Sequence, residues 1–284
     1  MAGINQIGPN IRMKMPDLSD TEKRLSEHLL RLGPDIKNCR ISDLAGSYDV
    51  SEAAVVKMAK KLGFNGFKDL KDALLQYGSL PNSELFSEIS LDDDAENIVE
   101  KVFNNSIHAI QETRGILDIA ALEYASELMA TRTIRYFYGV AGSAAIADDA
   151  CHKFLRIGIH CDMVQDSHLM MMTASMLDDS GVVFAISHSG QTTAVLEAVR
   201  TAKDNGAAIV ALTSYPYSAL AKAADAVLCS TSMSSPWTGE NAAARIAQLN
   251  ILDALFILTA KRDHEAASRA LAKTMISVSE KRER

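Results

Sequence analysis

Between Ala95 and Leu117 the apolar residues Ile98, Val102, Ile107 and Ile110 keep the spacing of an amphipathic helix. LDIAALEYASELMATR and, near the C-terminus, AQLNILDALFILTAK predict two more helices. Between these lie five short apolar runs: TIRYFYGV (133–140), HCDMV (160–164), VVFAIS (182–187), AIVALTS (208–214) and AVLCS (226–230). Helix-length segments separate most of them, which predicts a parallel sheet with covering helices, an α/β three-layer domain. Residues 17–77 have a different rhythm, that of short helices. Ser19 followed by Glu22 forms a capping box ahead of an apolar stripe, residues 42–47 make a short helix, and Ser51 caps another that runs to about Leu62. The expected plan is an all-α helix-turn-helix domain over 1–78, a linker over 79–94 (SLPNSELFSEISLDDD) and the α/β domain over 95–284.

Composition adds less than patterning. With 48% hydrophobic and 23% charged residues the chain reads as soluble and globular. No secretory signal is evident, and no apolar run in the sequence reaches the roughly 20 residues of a membrane helix. Cys39, Cys151, Cys161 and Cys229 are dispersed without a CxxC pair, so reduced thiols in a cytoplasm are expected. Cys151–His152 and His160–Cys161 are adjacent pairs, which fit poorly around one ion, and neither a metal nor a cofactor is expected. The net charge of −7 argues against a nucleic-acid partner for the chain as a whole. Its distribution does not: residues 1–78 hold 12 Lys and Arg against 10 Asp and Glu, and the remainder 17 against 26. A slightly basic segment on an acidic body is compatible with a DNA-binding module attached to a sensor.

In ISDLAGSYDVSEAAVVKMAKKLGF the first helix, the tight turn Tyr48-Asp49-Val50 and the second helix follow the helix-turn-helix plan. Ala45 is small where the helices cross, and Val50, Val55 and Leu62 face the core. The outer side of the second helix carries Ser51, Glu52, Ala53, Ala54, Lys57, Lys60 and Lys61. The short residues at its start suit base edges, and the lysines suit phosphates. The alternative is a helical bundle whose lysines are a solvated face.

Two strand-to-helix turns carry the remaining chemistry. Gly139 to Ser143 joins a strand to a helix, and Ser187-His188-Ser189-Gly190-Gln191-Thr192-Thr193 does so again. Glycine lets the backbone approach a ligand, and helix N-termini offer free N–H groups with partial positive charge. Neither turn matches the P-loop, and GVAGSA lacks the three-glycine dinucleotide fingerprint. Two hydroxyl-rich helix starts in one cleft suit a phosphate monoester. The alternative is two well-capped helices.

Gly142-Ser143 together with Ser187-x-Ser189-Gly190-x-Thr192 resembles the sugar isomerase (SIS) domain. With LAGSYDVSEAAVVKMAKKLGFNGFKDLK, the chain over residues 15–275 is similar to RpiR-type transcriptional regulators, and parts of it look closest to the ribose or allose phosphate branch. The resemblance implies that Ser143, Ser187, Ser189 and Thr192 hold a phosphate, with the backbone N–H groups of Gly190 and Gln191. Many relatives have an extra glycine in the first turn, where this chain has Ala141-Gly142-Ser143-Ala144. His168 points at the sugar ring or is a packed or capping residue. Glu240 binds a sugar hydroxyl or is a surface residue at a helix start. Met170-Met171-Met172 is expected to be helix core.

The expected function is a cytoplasmic, non-enzymatic transcriptional regulator, a repressor in character, that binds double-stranded operator DNA and answers to a phosphosugar. A homodimer or homotetramer is expected, with the apolar helix 246–260 as dimerisation element. The competing readings are a phosphosugar isomerase, for which no convincing acid/base pair is evident, and a binding module without DNA.

Overall fold

The computed structural model describes residues 6–78, 89–231 and 242–279. The chain divides into two compact units, one ending at Ile116 and the other beginning at Leu117.

The first unit is helical: α1 (Ile7–Lys14), α2 (Asp20–Leu32), α3 (Ile41–Ser47), α4 (Glu52–Lys61), α5 (Phe67–Gly78) and α6 (Ala95–Ile116). The capping box forms as expected: Ser19 Oγ accepts the Glu22 N–H at 3.4 Å, and the Glu22 carboxylate accepts the Ser19 N–H at 2.8 Å. Leu25, Leu29, Leu44, Ala45, Val55, Met58, Leu62 and Leu70 form the core. Val50 and Phe64 are half-buried against it.

The α6 helix departs from its sequence pattern. Most of its expected stripe is exposed, with Ile107 at 49% and Ile98 at 38% exposure and Ile110 half-buried, and the buried positions are Asn105, Ala109, Glu112 and Thr113. A polar cluster decides this. Glu112, 4% exposed, is paired with Arg12 of α1, takes a hydrogen bond from the Tyr77 hydroxyl of α5, and lies 2.9 Å from His108 Nε2. Burial alone would raise the Glu112 carboxyl, but the Arg12 charge and the His108 and Tyr77 hydrogen bonds bring it down to about 2. These contacts bind α6 into the first unit, whereas the sequence reading grouped it with the α/β domain. Of the expected linker, residues 79–88 lie outside the described residues.

The second unit is a three-layer α/β domain. After α7 (Ile119–Thr131) come β1 (Ile134–Gly139), α8 (Gly142–Arg156), β2 (Asp162–Val164), α9 (Ser167–Ser175), β3 (Gly181–Ile186), α10 (Thr193–Asp204), β4 (Ala208–Thr213), α11 (Ala219–Ala223) and β5 (Ala226–Cys229). Two helices, α12 (Ala242–Arg262) and α13 (His264–Ser279), follow. All five expected strands form, and they pair in parallel in the order β2-β1-β3-β4-β5. The central strands β3 and β4 are buried at every position, which explains their unbroken apolar runs. Phe137, Phe184, Val210 and Leu228 face a core shared with α7, α8, α12 and α13. Tyr138, Val183, Ala185 and Ile209 face one shared with α9, α10 and α11.

Two expectations change here. Only Met170 of the methionine run is core, at 0% exposure, while Met171 and Met172 are exposed. Among the described helices, α12 alone is long and apolar enough to cross a membrane, but Ala247, Gln248, Ile251, Leu252 and Leu255 bury one side of it in this domain.

Candidate functional site

The sheet order places a topological switch point between β1 and β3. From β1 the chain crosses to β2 on one side, and the later strands build out on the other. The helices that leave these two neighbours, α8 and α10, pack on opposite faces of the sheet. A crevice therefore opens beyond the carboxyl ends of β1 and β3, the usual ligand position in open α/β sheets. Gly139 and Ile186 are partners in the register, so the turns 140–143 and 187–192 leave the sheet side by side.

Each turn has a backbone reason for its residues. At Gly139 a Cβ would stand 2.8 Å from the Ser143 carbonyl oxygen, so glycine lets the first turn of α8 close on its strand. Ala141 holds φ +51, a conformation that costs an L-residue about 1–2 kcal/mol. That strain explains why glycine would be easier in this turn. Gly190 has φ +61, and a Cβ there would collide with the Ser218 side chain. The Gly190 carbonyl accepts the Leu220 N–H at 3.1 Å, and the His188 carbonyl accepts the Ser214 N–H at 3.1 Å. These bonds tie the second turn to the segment after β4.

The hydroxyls are arranged around the turn. Ser187, 3% exposed, has its Oγ 3.0 Å from Thr192 Oγ1, and it accepts the Gly190 N–H at 3.1 Å. Ser189 and Gln191 are exposed, and Ser189 Oγ accepts the Gln191 N–H at 3.2 Å. The Gly190 and Gln191 N–H groups, expected to help hold a phosphate, are thus already engaged by the turn's own oxygens. The helix starts differ: at α8 the Ser143 and Ala144 N–H groups donate to the Val140 and Ala141 carbonyls at 3.1 and 3.0 Å, and at α10 no side chain caps the first turn. Neither α8 (N-cap Ala141) nor α10 (N-cap Thr192) has a side-chain cap. In the same domain α7, α9, α11 and α13 are all capped, by Asp118, Asp166, Ser218 and Asp263. Among the helices of this domain whose N-caps are described, the two without a side-chain cap are the two that face the switch point.

His188 is buried beneath the turn at 8% exposure. Its Nδ1 is 2.9 Å from Ser214 Oγ, which is 3.0 Å from Ser230 Oγ, which accepts Gln248 Nε2 of α12 at 3.3 Å. Ser214, Ser230 and Gln248 are likewise buried.

The other expected ligand residues are placed less centrally. Ser143 is the half-buried second residue of α8. His168 is exposed near the start of α9, its N–H bound to the capping Asp166 at 3.0 Å. Glu240 lies outside the described residues.

In the first unit α3, the turn and α4 form as expected. Asp49 takes a left-handed φ of +51 in the turn, and Ser51 Oγ accepts the Ala54 N–H at 3.2 Å. Ser51, Glu52, Ala53, Lys57, Lys60 and Lys61 are exposed, and Ala54 is half-buried. Lys61 is set apart from the other lysines by a 2.7 Å ion pair with Glu22 of α2.

Comparison with known proteins agrees with both halves. A model of the rpiR-family helix-turn-helix domain matches residues 5–80, and a SIS-domain model matches 128–258. The transcriptional regulator RpiR of Escherichia coli K12 is 40% identical over 94% of this chain and 90% of its own length. The chain belongs to the RpiR family. An uncharacterized helix-turn-helix regulator of Thermotoga maritima is 36% identical over 95% of this chain and 97% of its own. In fold, the chain resembles Vibrio vulnificus NanR complexed with ManNAc-6P, with a TM-score of 0.61, 24% identity, and coverage of 96% of this chain and 98% of that one.

Beside the start of α8 stands one exposed residue that sequence reasoning missed. Arg245 on α12 brings its Cδ within 3.7 Å and its Nη1 within 3.9 Å of the position a Cβ on Gly142 would take. The available signal was an arginine in the otherwise apolar start NAAARIAQLN, three residues before the buried Gln248.

Proposed function

We propose that this RpiR-family regulator is a repressor whose operator affinity changes when a phosphosugar occupies the crevice between residues 140–143 and 187–192. The observation that carries the reading is the pair of uncapped helix N-termini, α8 and α10, converging on the switch point. The partial positive charges of these two helix starts suit a phosphate, and Ser143, Ser187, Ser189 and Thr192 line the same turns. Gln191, His168 and Glu240 are proposed as contacts to the sugar. A ribose or allose phosphate is proposed as effector on the resemblance of residues 152–177 and 241–256 to that branch of the family. Operator DNA is read by Ser51, Glu52, Ala53, Ala54, Lys57 and Lys60, with Lys61 contributing after release from Glu22. The protein works in the cytoplasm as a homodimer or homotetramer with a DNA-binding domain over 1–78, and two such domains imply half-sites about one helical turn apart.

The experiment is a thermal-shift screen against ribose 5-phosphate, allose 6-phosphate and other sugar phosphates, followed by mobility-shift titration with the upstream DNA. A phosphosugar should raise Tm by mass action and change operator affinity. Failure to stabilise the chain sinks the effector site. Measurable interconversion of aldose and ketose phosphates sinks the non-enzymatic reading.

A further inference from the structure

The proposed effector site lacks a cation in its two turns. Residues 140–143 and 187–192 include no lysine or arginine. A phosphate monoester carries about −1.5 to −2 charges near neutral pH. Two helix N-termini supply roughly half a positive charge each. That leaves about half to one negative charge unmatched, which a single side-chain cation would neutralise.

We infer that Arg245 of α12 supplies that cation, and that the buried chain His188–Ser214–Ser230–Gln248 positions it; the inference rests on the phosphosugar reading of the crevice. Arg245 lies beside the start of α8, where Gly142 offers no side chain to obstruct it. It has no hydrogen-bond or ion-pair partner among the described residues, so its guanidinium is available to an anion there. A guanidinium presents a planar fork of donors that matches phosphate oxygens in pairs.

The position of Arg245 is set one helical turn further on. Residues three apart share a helix face, and Gln248, 1% exposed, donates to Ser230 Oγ. Ser230 and Ser214 carry the connection to His188, which lies between the phosphate-turn serines Ser187 and Ser189. With Gln248 donating, each serine hydroxyl can donate onward, so the chain runs in one direction to His188 Nδ1. A broken link leaves a buried polar atom unpaired, which makes the arrangement stiff. The α12 helix is thereby registered to both turns: through Arg245 to the start of α8, and through Gln248 to the turn before α10. This assigns His188 to positioning rather than to proton transfer.

The test uses the full chain and isothermal titration with ribose 5-phosphate and allose 6-phosphate, each beside its unphosphorylated sugar. Arg245→Gln should weaken binding of the phosphosugar that the wild type prefers by about 10- to 100-fold, the loss of a charged hydrogen-bonding group. Wild-type affinity should rise from pH 5 to pH 7 as the phosphate takes its second charge, and that rise should flatten in Arg245→Gln. A merely structural role would not change the pH profile. Gln248→Leu keeps the arginine but frees α12, and it should give a smaller loss with the pH profile retained. Arg245→Lys, which keeps the charge without the fork, should fall between wild type and Arg245→Gln. It takes over as the measure if ligand-free Tm shows that the glutamine variant is unfolded. Wild-type affinity and pH profile in Arg245→Gln, or in Arg245→Lys where that variant is the measure, overturn the inference alone. A wild-type chain that binds none of the sugar phosphates overturns the effector reading and the inference together.

Discussion

Replacing Glu112 by glutamine tests whether the polar cluster, rather than apolar packing, holds α6 in the first unit. Glu112 and Arg12 have side-chain exposures of 4% and 15%. The fall of the carboxyl from its ordinary 4.5 to about 2 corresponds to about 3 kcal/mol favouring the charged form. Removing one member of a buried ion pair independently costs roughly 3–5 kcal/mol, because the remaining charge is stranded. The two figures agree, so Glu112→Gln should lower the opening free energy of this unit by about 3 kcal/mol. Native-state hydrogen exchange reads this directly: amides of α1, α5 and α6 should lose roughly a hundredfold of protection at pH 7. The sign of the pH effect follows from a depressed carboxyl. Its contribution is complete above about pH 4.5 and drains away as pH falls from there toward 2. Stability of the wild-type unit should therefore decline across that window, and that of Glu112→Gln should decline less. The double variant Arg12→Met/Glu112→Met strands no charge and should recover much of the loss. Equal protection in wild type and Glu112→Gln at pH 7 would refute the reasoning and mean that apolar contacts alone hold α6.

Three further outcomes follow from the sites. Gly190→Ala forces an L-residue to φ +61 and a Cβ into Ser218; Tm should fall by more than about 3 °C, and the phosphosugar response should disappear. Ser189→Ala removes an exposed turn hydroxyl with little structural cost; sugar-phosphate affinity should drop about tenfold in a titration, and operator binding without effector should hold. Lys57→Ala should weaken operator binding and lower its salt slope by about one in mobility-shift series at several ionic strengths. An unchanged slope would place the DNA face elsewhere.

Most of the fold was legible because its signals are local. Each strand was a short apolar run ended by a turn, and the helix-turn-helix was marked by Ser51 as cap, by Ala45 as the small crossing residue and by the tight turn Tyr48-Asp49-Val50. The serines of 187–192 stood out for the same reason. The α6 helix misled because periodicity reports where apolar residues lie and not which face is buried. Its buried face carries a carboxylate whose partner lies 100 residues earlier in the chain. The methionine run misled similarly, since three consecutive residues on a helix cannot all face one core.

By itself the sequence determined the order of elements, the parallel sheet, the two hydroxyl-bearing strand-to-helix turns and the family, all of which depend on residue type at short spacing. Only the tertiary structure decided that α8 and α10 start without a side-chain cap, that α6 is held by a buried ion pair, and that α12 brings Arg245 beside Gly142 and Gln248 onto Ser230. Those facts join positions such as 142 with 245, 188 with 214 and 12 with 112. Such pairings are set by how sheet and helices pack in space, and no local propensity encodes them.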